Sequence, residues 1–449
     1  MHHNSKHAVD VTPVTGGSAL FGGCDAQSLA AQFGTPLLVI DEVRLRSAMR
    51  AFREAFVHPR WRASVAYAGK ALLLQAIAKI AHEESLSIDV CSAGELQTAL
   101  RAGVPAQRCI FHGCFKTDDE LDLAVQSGIG YIVVDHRAEI DAVALRASRF
   151  GGRCDILLRV NPGIAAQTRG AIQTGAPDSK FGFAIDDGQA LAAVAAAANS
   201  PALRLAGIHA HIGSQIFDVD SYAREIVRLT DFAKAVHRSL AVTFDVMNIG
   251  GGLAVADSPG TQAPDAKQWA QTIFGAFEEC FADLNLAKPQ LCVEPGRALI
   301  ASAGTTLYRI GVRKRLPDGT VALIVDGGMS DNPRPALYEA DYAVTLPARA
   351  RLPADGTYKI FGRHCEADRL FRDVALPGPL PGDVLAVHGT GAYTYSMASN
   401  YNRFSRPAVV IAAAGRARLI ARREPLEHVL DLDIEPDAAR EARTAAVLK

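Results

Sequence analysis

At 449 residues the chain is too long for one small hydrophobic core and fits about two or three domains. Hydrophobic residues make up 49% and charged residues 21%, a globular composition, and a formal net charge of −1 gives no electrostatic footing for nucleic acid or an anionic membrane. None of the eight cysteines forms a CxxC pair. No apolar run approaches the roughly 20 residues of a membrane span, and the polar stretch Met1–Ser18 lacks the apolar centre of a secretory signal. A reducing, cytoplasmic location is therefore expected.

In chain order, residues 1–20 carry three histidines and a Gly16-Gly17 pair and are expected to be disordered. Thr35-Pro36 leads into an extended apolar segment, Leu37 to Ile40. Asp41 then caps a helix running through Val43 to Phe56. From residue 64 short apolar runs recur at 64–68, 87–90, 109–112, 131–134, 155–160, 205–211, 245–249 and 290–294. Segments with helical spacing lie between them, such as Leu72 to Ala81 and the alanine-rich 189–199. Strands alternating with helices mean βαβ units and a parallel sheet, and eight units in this length fit a (β/α)8 TIM-like barrel over residues 45–300.

Beyond residue 300 the pattern changes. Leu323 to Val325, Tyr342 to Leu346, Lys359 to Phe361, Val384 to Val387 and Ala408 to Ala412 read as strands separated by Pro/Gly turns, so residues 301–449 should form a mostly antiparallel β domain. Residues 21–44, with the Leu37–Ile40 segment, are expected to join it. The charged tail from Glu424 reads as a solvated helix.

Active sites of such barrels gather at the C-terminal ends of the strands. Lys70, Asp89, His112, Asp135, Asn161, His211, Gly250, Gly251, Gly252 and Glu294 all fall there. Lys70 follows the apolar Val65-Ala66-Tyr67-Ala68; a lone lysine is ordinarily a solvated charge, but one partly desolvated at a barrel mouth has its ammonium form disfavoured and attacks carbonyls. His209 and His211, two apart, could form a metal pair, or one could pack while the other is functional, a ring laid over a planar cofactor fitting His211; Ser214 could reach a phosphate. The Gly250-Gly251-Gly252 run suits either an anion cradle or a turn needed for backbone geometry alone. Glu294 could hold a pyridinium nitrogen protonated or form a structural ion pair, and Gly296 and Arg297 suit phosphate or carboxylate. In the β domain, Arg334, Tyr338, Cys365, Glu366 and Tyr393 stand in polar clusters, and a thiol beside a carboxylate can act as a general acid.

Nine segments in this order carry a resemblance: YAGKA at 67–71, DVCSAGEL at 89–96, SKFG at 179–182, HAHIGSQIFD at 209–218, NIGGGL at 248–253, EPGRA at 294–298, DGGMSDNPRPALY at 326–338, HCE at 364–366 and TGAYTYSMASNYN at 390–402. Together they resemble the pyridoxal-phosphate-dependent decarboxylases of the alanine-racemase-like barrel fold, the ornithine–diaminopimelate–arginine family, and within it most closely the diaminopimelate branch. The resemblance implies a pyridoxal 5'-phosphate cofactor held by Lys70 as a Schiff base, with Asp89 near it, His211 over the ring and Glu294 on the ring nitrogen. It implies phosphate binding by Ser214, Gly250, Gly251, Gly252, Gly296 and Arg297 with Tyr393 close by. Arg297, Arg334, Tyr338, Glu366 and Tyr393 would bind substrate, Cys365 would return a proton to the carbanion, and meso-diaminopimelate would become L-lysine. It implies no metal, and a homodimer whose shared active sites take Cys365 and Glu366 from the second subunit.

Three positions depart from the family pattern. Leu72 stands where an asparagine is usual, Gly113-Cys114-Phe115-Lys116 replaces a GNNK-like run, and Cys365-Glu366-Ala367-Asp368 is one residue shorter than the usual CESGD-like loop. Relatives acting on ornithine, arginine or carrier- or siderophore-linked amino acids share the same cofactor machinery and form the alternative. A racemase would want a tyrosine in place of Cys365, and a metallohydrolase would want further ligands beside His209 and His211.

Overall fold

The computed structural model describes residues 8–10, 19–164, 175, 179–256, 262–282 and 288–434. The chain forms two compact units. One comprises Asp41–Gly304 with Gly389–Ser396; the other comprises Met1–Ile40, Thr305–His388 and Met397–Lys449.

The first unit is a closed parallel barrel of eight strands: Ala63–Ala68, Ser87–Val90, Cys109–Phe111, Tyr131–Val134, Cys154–Asn161, Leu203–His209, Val246–Asn248 and Gln290–Val293. Pairing of the last strand with the first, and of the fourth with the fifth, completes the ring. A short strand, Phe183–Ala184, adds to the fifth outside the ring. The eight apolar runs read from the sequence match these strands to within a residue or two at each end. Between them lie helices such as Glu42–Ala55, whose first turn is capped by the Asp41 carboxylate accepting from the Arg44 N–H at 3.1 Å, as expected.

The barrel interior shows why polar groups collect at one end. Ala66, Ile110, Val133, Leu157, Val246 and Cys292 fill one inward-facing apolar layer. Side chains alternate faces along a strand, so the next inward position lies two residues further on. Those positions are Ala68, His112, Asp135, Arg159, Asn248 and Glu294. The sixth strand reaches the same level through a bulge between Leu205 and Gly207, which sets His209 in register with both Arg159 and Asn248.

In the second unit a ten-stranded, mostly antiparallel sheet contains Ala8–Asp10, Arg416–Ala421, Ala408–Ala413, Leu37–Asp41, Gly304–Arg315, Val321–Val325, Gly356–Phe361 and Arg369–Leu376 in that order, with Val384–His388 and Val344–Thr345 branching from it. Leu37–Asp41 joins this sheet, as the sequence suggested. Four strands of this sheet went unread: Ala8–Asp10, Gly304–Arg315, Arg369–Leu376 and Arg416–Ala421. The disorder expected for residues 1–20 falls mostly outside the described residues; Ala8–Asp10 pairs with Arg416–Arg418. In the tail, Leu426–Leu430 is helical and residues 435–449 lie outside the described set. Among the described residues no helix is long and apolar enough to cross a membrane.

Candidate active site at the barrel mouth

Lys70 sits in a single 3-10 turn, Gly69–Ala71, immediately after the first barrel strand. The fully buried Tyr67 anchors this turn by donating its hydroxyl to the Leu72 carbonyl at 2.6 Å. Gly69 is required by close approach, since a Cβ there would lie 2.7 Å from the Asp89 carbonyl. Lys70 Nζ donates to Asp89 Oδ2 at 3.1 Å, with the lysine side chain 42% exposed and that of Asp89 1%. The sequence reading expected a disfavoured ammonium. Burial does act in that direction, but Asp89, then Tyr393, Glu294 and Cys91, outweigh it and hold the ammonium above the ordinary lysine range. The carboxylate is the reason for the difference.

Glu294, one residue past the last strand, is buried among donors. Its Oε1 accepts from Asn248 Nδ2 at 2.7 Å and lies 2.9 Å from His112 Nε2; its Oε2 lies 3.3 Å from His209 Nε2. Burial alone would raise this carboxyl, but the two imidazoles more than offset it and hold it well below the usual carboxylate range. His209 is pushed down to about 3, chiefly by burial, so its ring is neutral. Asn248 works twice, since its Oδ1 also accepts from the Gly250 N–H at 2.9 Å. The two rings and the carboxylate bring their ligand atoms within 4.8 Å of one another, a set chemically able to take a metal ion. The pair weighed from the sequence, His209 with His211, is split instead: His209 faces Glu294, whereas His211 Nδ1 accepts from the Gly251 N–H at 3.3 Å.

Burial first, then Lys70, Arg159 and His209, lower His211 well below the ordinary histidine range. A neutral ring accepting at Nδ1 carries its proton on Nε2. The adjoining glycines are packed too tightly for side chains. A Cβ on Gly251 would lie 2.0 Å from the Glu294 carbonyl, and one on Gly252 2.0 Å from the Gly213 carbonyl. Two of the three N–H groups in this run are thus committed to Asn248 and His211, and close packing is itself a reason for glycine here. Arg297 Nη2 donates to Ser214 Oγ at 3.3 Å, and its guanidinium lies over the Tyr393 ring at 4.6 Å. Tyr393 is held at a positive φ of 58°, its N–H donating to the Ala71 carbonyl at 2.8 Å.

The remaining residues singled out from the sequence lie in the β unit. Arg334 is buried and its guanidinium lies over Tyr338 at 5.1 Å, one turn along a five-residue helix. Cys365 and Glu366 are exposed. Tyr401 donates its hydroxyl to Glu366 Oε1 at 2.6 Å, and the Cys365 N–H donates to Asn402 Oδ1 at 3.2 Å. Asp368 closes this short loop: its Oδ2 accepts from the His364 N–H at 3.0 Å and meets His364 Nδ1 at 2.5 Å, while its Oδ1 accepts from the Met329 N–H at 2.9 Å. Sequence reasoning gave no role to Asn248, Arg159 or Tyr67. The alternation of inward positions would have found the first two.

A lysine paired with one buried carboxylate, in the same barrel mouth as a second carboxylate held ionised, suits an enzyme that holds a carbonyl-bearing, ring-nitrogen cofactor. Residues 42–301 match the family described as "Pyridoxal-dependent decarboxylase, pyridoxal binding domain", and the chain belongs to that family of amino-acid decarboxylases. It is 41% identical to the diaminopimelate decarboxylase of Bacillus subtilis over 414 residues, 92% of this chain and 94% of that protein, and 44% identical to that of Actinosynnema pretiosum over 423 residues, 93% of each. The crystal structure of diaminopimelate decarboxylase from M. jannaschii in co-complex with L-lysine superposes with a TM-score of 0.88 at 31% identity, covering 96% of this chain and 98% of that one. The residues present fit pyridoxal 5'-phosphate: an amine for its carbonyl carbon, an ionised carboxylate for a protonated ring nitrogen, and an arginine–hydroxyl pair for its phosphate.

Proposed function

We propose that this chain removes one carboxylate of meso-2,6-diaminopimelate to give L-lysine and CO2. The ionised Glu294, fixed by Asn248, His112 and His209 in the barrel mouth that also holds Lys70, carries the chemical part of this reading. The similarity to diaminopimelate decarboxylases over more than nine-tenths of the chain supports the substrate.

When bound, pyridoxal phosphate supplies an electron sink for the pair released as the Cα–carboxylate bond breaks. Lys70 would hold the cofactor's carbonyl carbon through its amine. Asp89 would hold the Lys70 amine, Glu294 would keep the proton on the ring nitrogen, and neutral His211 would support the ring. Ser214, Gly250, Gly251, Gly252, Gly296, Arg297 and Tyr393 would hold the phosphate. Arg297, Arg334, Tyr338, Glu366 and Tyr393 bind the substrate, an arginine and a carboxylate suiting its zwitterionic far end better than the bare ammonium of ornithine. Cys365 returns a proton to Cα after CO2 leaves.

The same proposal gives residues 45–300 the cofactor and residues 21–44 with 301–449 the β domain, except that Gly389–Ser396, with Tyr393, belongs to the barrel unit. It includes a homodimer in which Cys365 and Glu366 serve the partner's site. All eight cysteines are free, which suits a reducing cytoplasm.

The test is CO2 release by the cofactor-loaded protein with meso-diaminopimelate, ornithine, arginine and lysine side by side. Release from diaminopimelate alone, with lysine as product, is expected. Release from ornithine or arginine instead, or from none of the four with the cofactor bound, overturns the substrate.

A further inference from the structure

The reading above counts His112 only among the groups that fix Glu294, and no sequence motif gives it a task of its own. His112 stands at the end of the third strand, its N–H donating to the Val90 carbonyl at 2.7 Å, and its side chain is 8% exposed. Its Nε2 lies 2.9 Å from Glu294 Oε1 and 3.8 Å from Asp89 Oδ1. Asp89 in turn holds Lys70 through its other oxygen, at 3.1 Å. A single nitrogen thus stands between the carboxylate of the lysine and the carboxylate of the ring nitrogen. Lys70, Asp89, His112 and Glu294 come from the first, second, third and eighth strand ends, so no local stretch of chain dictates their line. The His209 ring packs edge-on against His112, with centroids 4.8 Å apart, and limits where His112 can turn.

We propose that His112 is a positioning residue that aims and polarises Glu294 for the cofactor's ring nitrogen and couples it to the Lys70–Asp89 pair; this rests on the reading of Glu294 given above. Asn248 and His112 share Oε1, leaving Oε2, with its longer 3.3 Å contact, as the oxygen open to a ring N–H. Removing the His112 N–H removes one of the two short donors to Oε1 and frees the carboxylate to rotate. A histidine that only satisfied the core would affect folding but not the treatment of one cofactor atom.

The experiment compares binding of pyridoxal 5'-phosphate with that of its deaza analogue, in which the ring nitrogen is a C–H, by equilibrium dialysis. It uses wild type, His112→Phe, His112→Leu and His112→Asn. Each protein's own ratio of the two dissociation constants is the readout, so a general loss of structure cancels. Wild type is expected to prefer the nitrogen-bearing cofactor at least about tenfold, a charge-assisted hydrogen bond being at stake. The Phe and Leu variants should lose most of that preference, and Asn, which keeps an N–H, should regain part of it. Whichever of Phe and Leu folds decides the matter. A wild type without preference overturns the role of Glu294. A preference that survives in the apolar variants overturns that of His112 alone.

Discussion

Lys116 is the lysine retained in the run Gly113-Cys114-Phe115-Lys116, and its ammonium is spent inside the barrel wall. With 1% of its side chain exposed, Nζ donates to the Gly113 carbonyl at 2.9 Å, the Val133 carbonyl at 2.8 Å and Glu139 Oε1 at 2.7 Å. Glu139 is equally buried, and its Oε2 accepts from the Asp135 N–H at 2.7 Å. Lys116→Met fills similar space but leaves a buried carboxylate without its countercharge and the Gly113 and Val133 carbonyls without this donor. Breaking a buried pair from one side costs about 3–5 kcal/mol. With a urea dependence of about 3 kcal/mol per molar, the unfolding midpoint should fall by about 1–1.7 M. The double variant Lys116→Met/Glu139→Leu removes the stranded charge as well and should recover most of the loss, because apolar replacements of buried pairs are often neutral. Urea unfolding followed by far-UV circular dichroism, all proteins cofactor-free, reads this directly. A single variant within about 0.2 M of wild type would refute the reasoning, as would a double variant no better than the single.

Lys70→Ala should lose the visible absorbance of the lysine-bound cofactor; a variant keeping the full band removes Lys70 from the assignment. Cys365→Ala should bind pyridoxal phosphate as wild type does while turnover drops by orders of magnitude, and unchanged turnover would take the thiol out of the reaction. His209 gives a pH test with a definite sign. Its folded value of about 3 lies below the ordinary 6.5, so between these the unfolded chain binds a proton that the folded barrel refuses. Stability is therefore present above about pH 6.5 and is lost as pH falls toward 3, at up to about 1.4 kcal/mol per unit from this group. Urea midpoints at pH 7, 6 and 5 should decline in wild type and decline less in His209→Gln; equal slopes would contradict a neutral buried ring.

The barrel was legible because each of its strands is a short apolar run bounded by polar residues or turns, and a parallel sheet covered on both faces demands that pattern. Apart from Ala8–Asp10, the missed strands of the large sheet are those where charge interrupts the run. Gly304–Arg315 begins buried and ends with Arg313, Lys314 and Arg315 exposed. Arg369–Leu376 carries two arginines and an aspartate on a half-solvated strand. Arg416–Ala421 follows a two-residue turn, Ala414 at φ 50° and Gly415 at φ 77°, and such a pair of positive φ values is hairpin geometry that Ala-Gly announces less clearly than Asn-Gly. The run expected over Tyr342 to Leu346 shortens to Val344–Thr345, with exposed Asp341 before it and a proline-led turn after it.

For the site, the strand-end positions were readable and the partners were not. Period two alone assigns His112, Asp135, Arg159, Asn248 and Glu294 to one inward level, given the apolar residues beneath them. Which of them touch depends on ring closure: the eighth strand pairs with the first, and Glu294 reaches across to the third strand's His112. The bulge in the sixth strand adds a second ambiguity, because one inserted residue exchanges inward and outward positions. From the sequence, His209 and His211 could form a metal pair, or one could pack while His211 lay over a cofactor ring. Once the bulge sets His209 beside Asn248 and Arg159, it faces Glu294, and His211, beyond the strand, falls to the glycine loop. The bulge decides that His209 faces inward, and the two-residue step along the chain puts His211 beyond the strand. A substitution that erased the bulge would turn His209 away from Glu294.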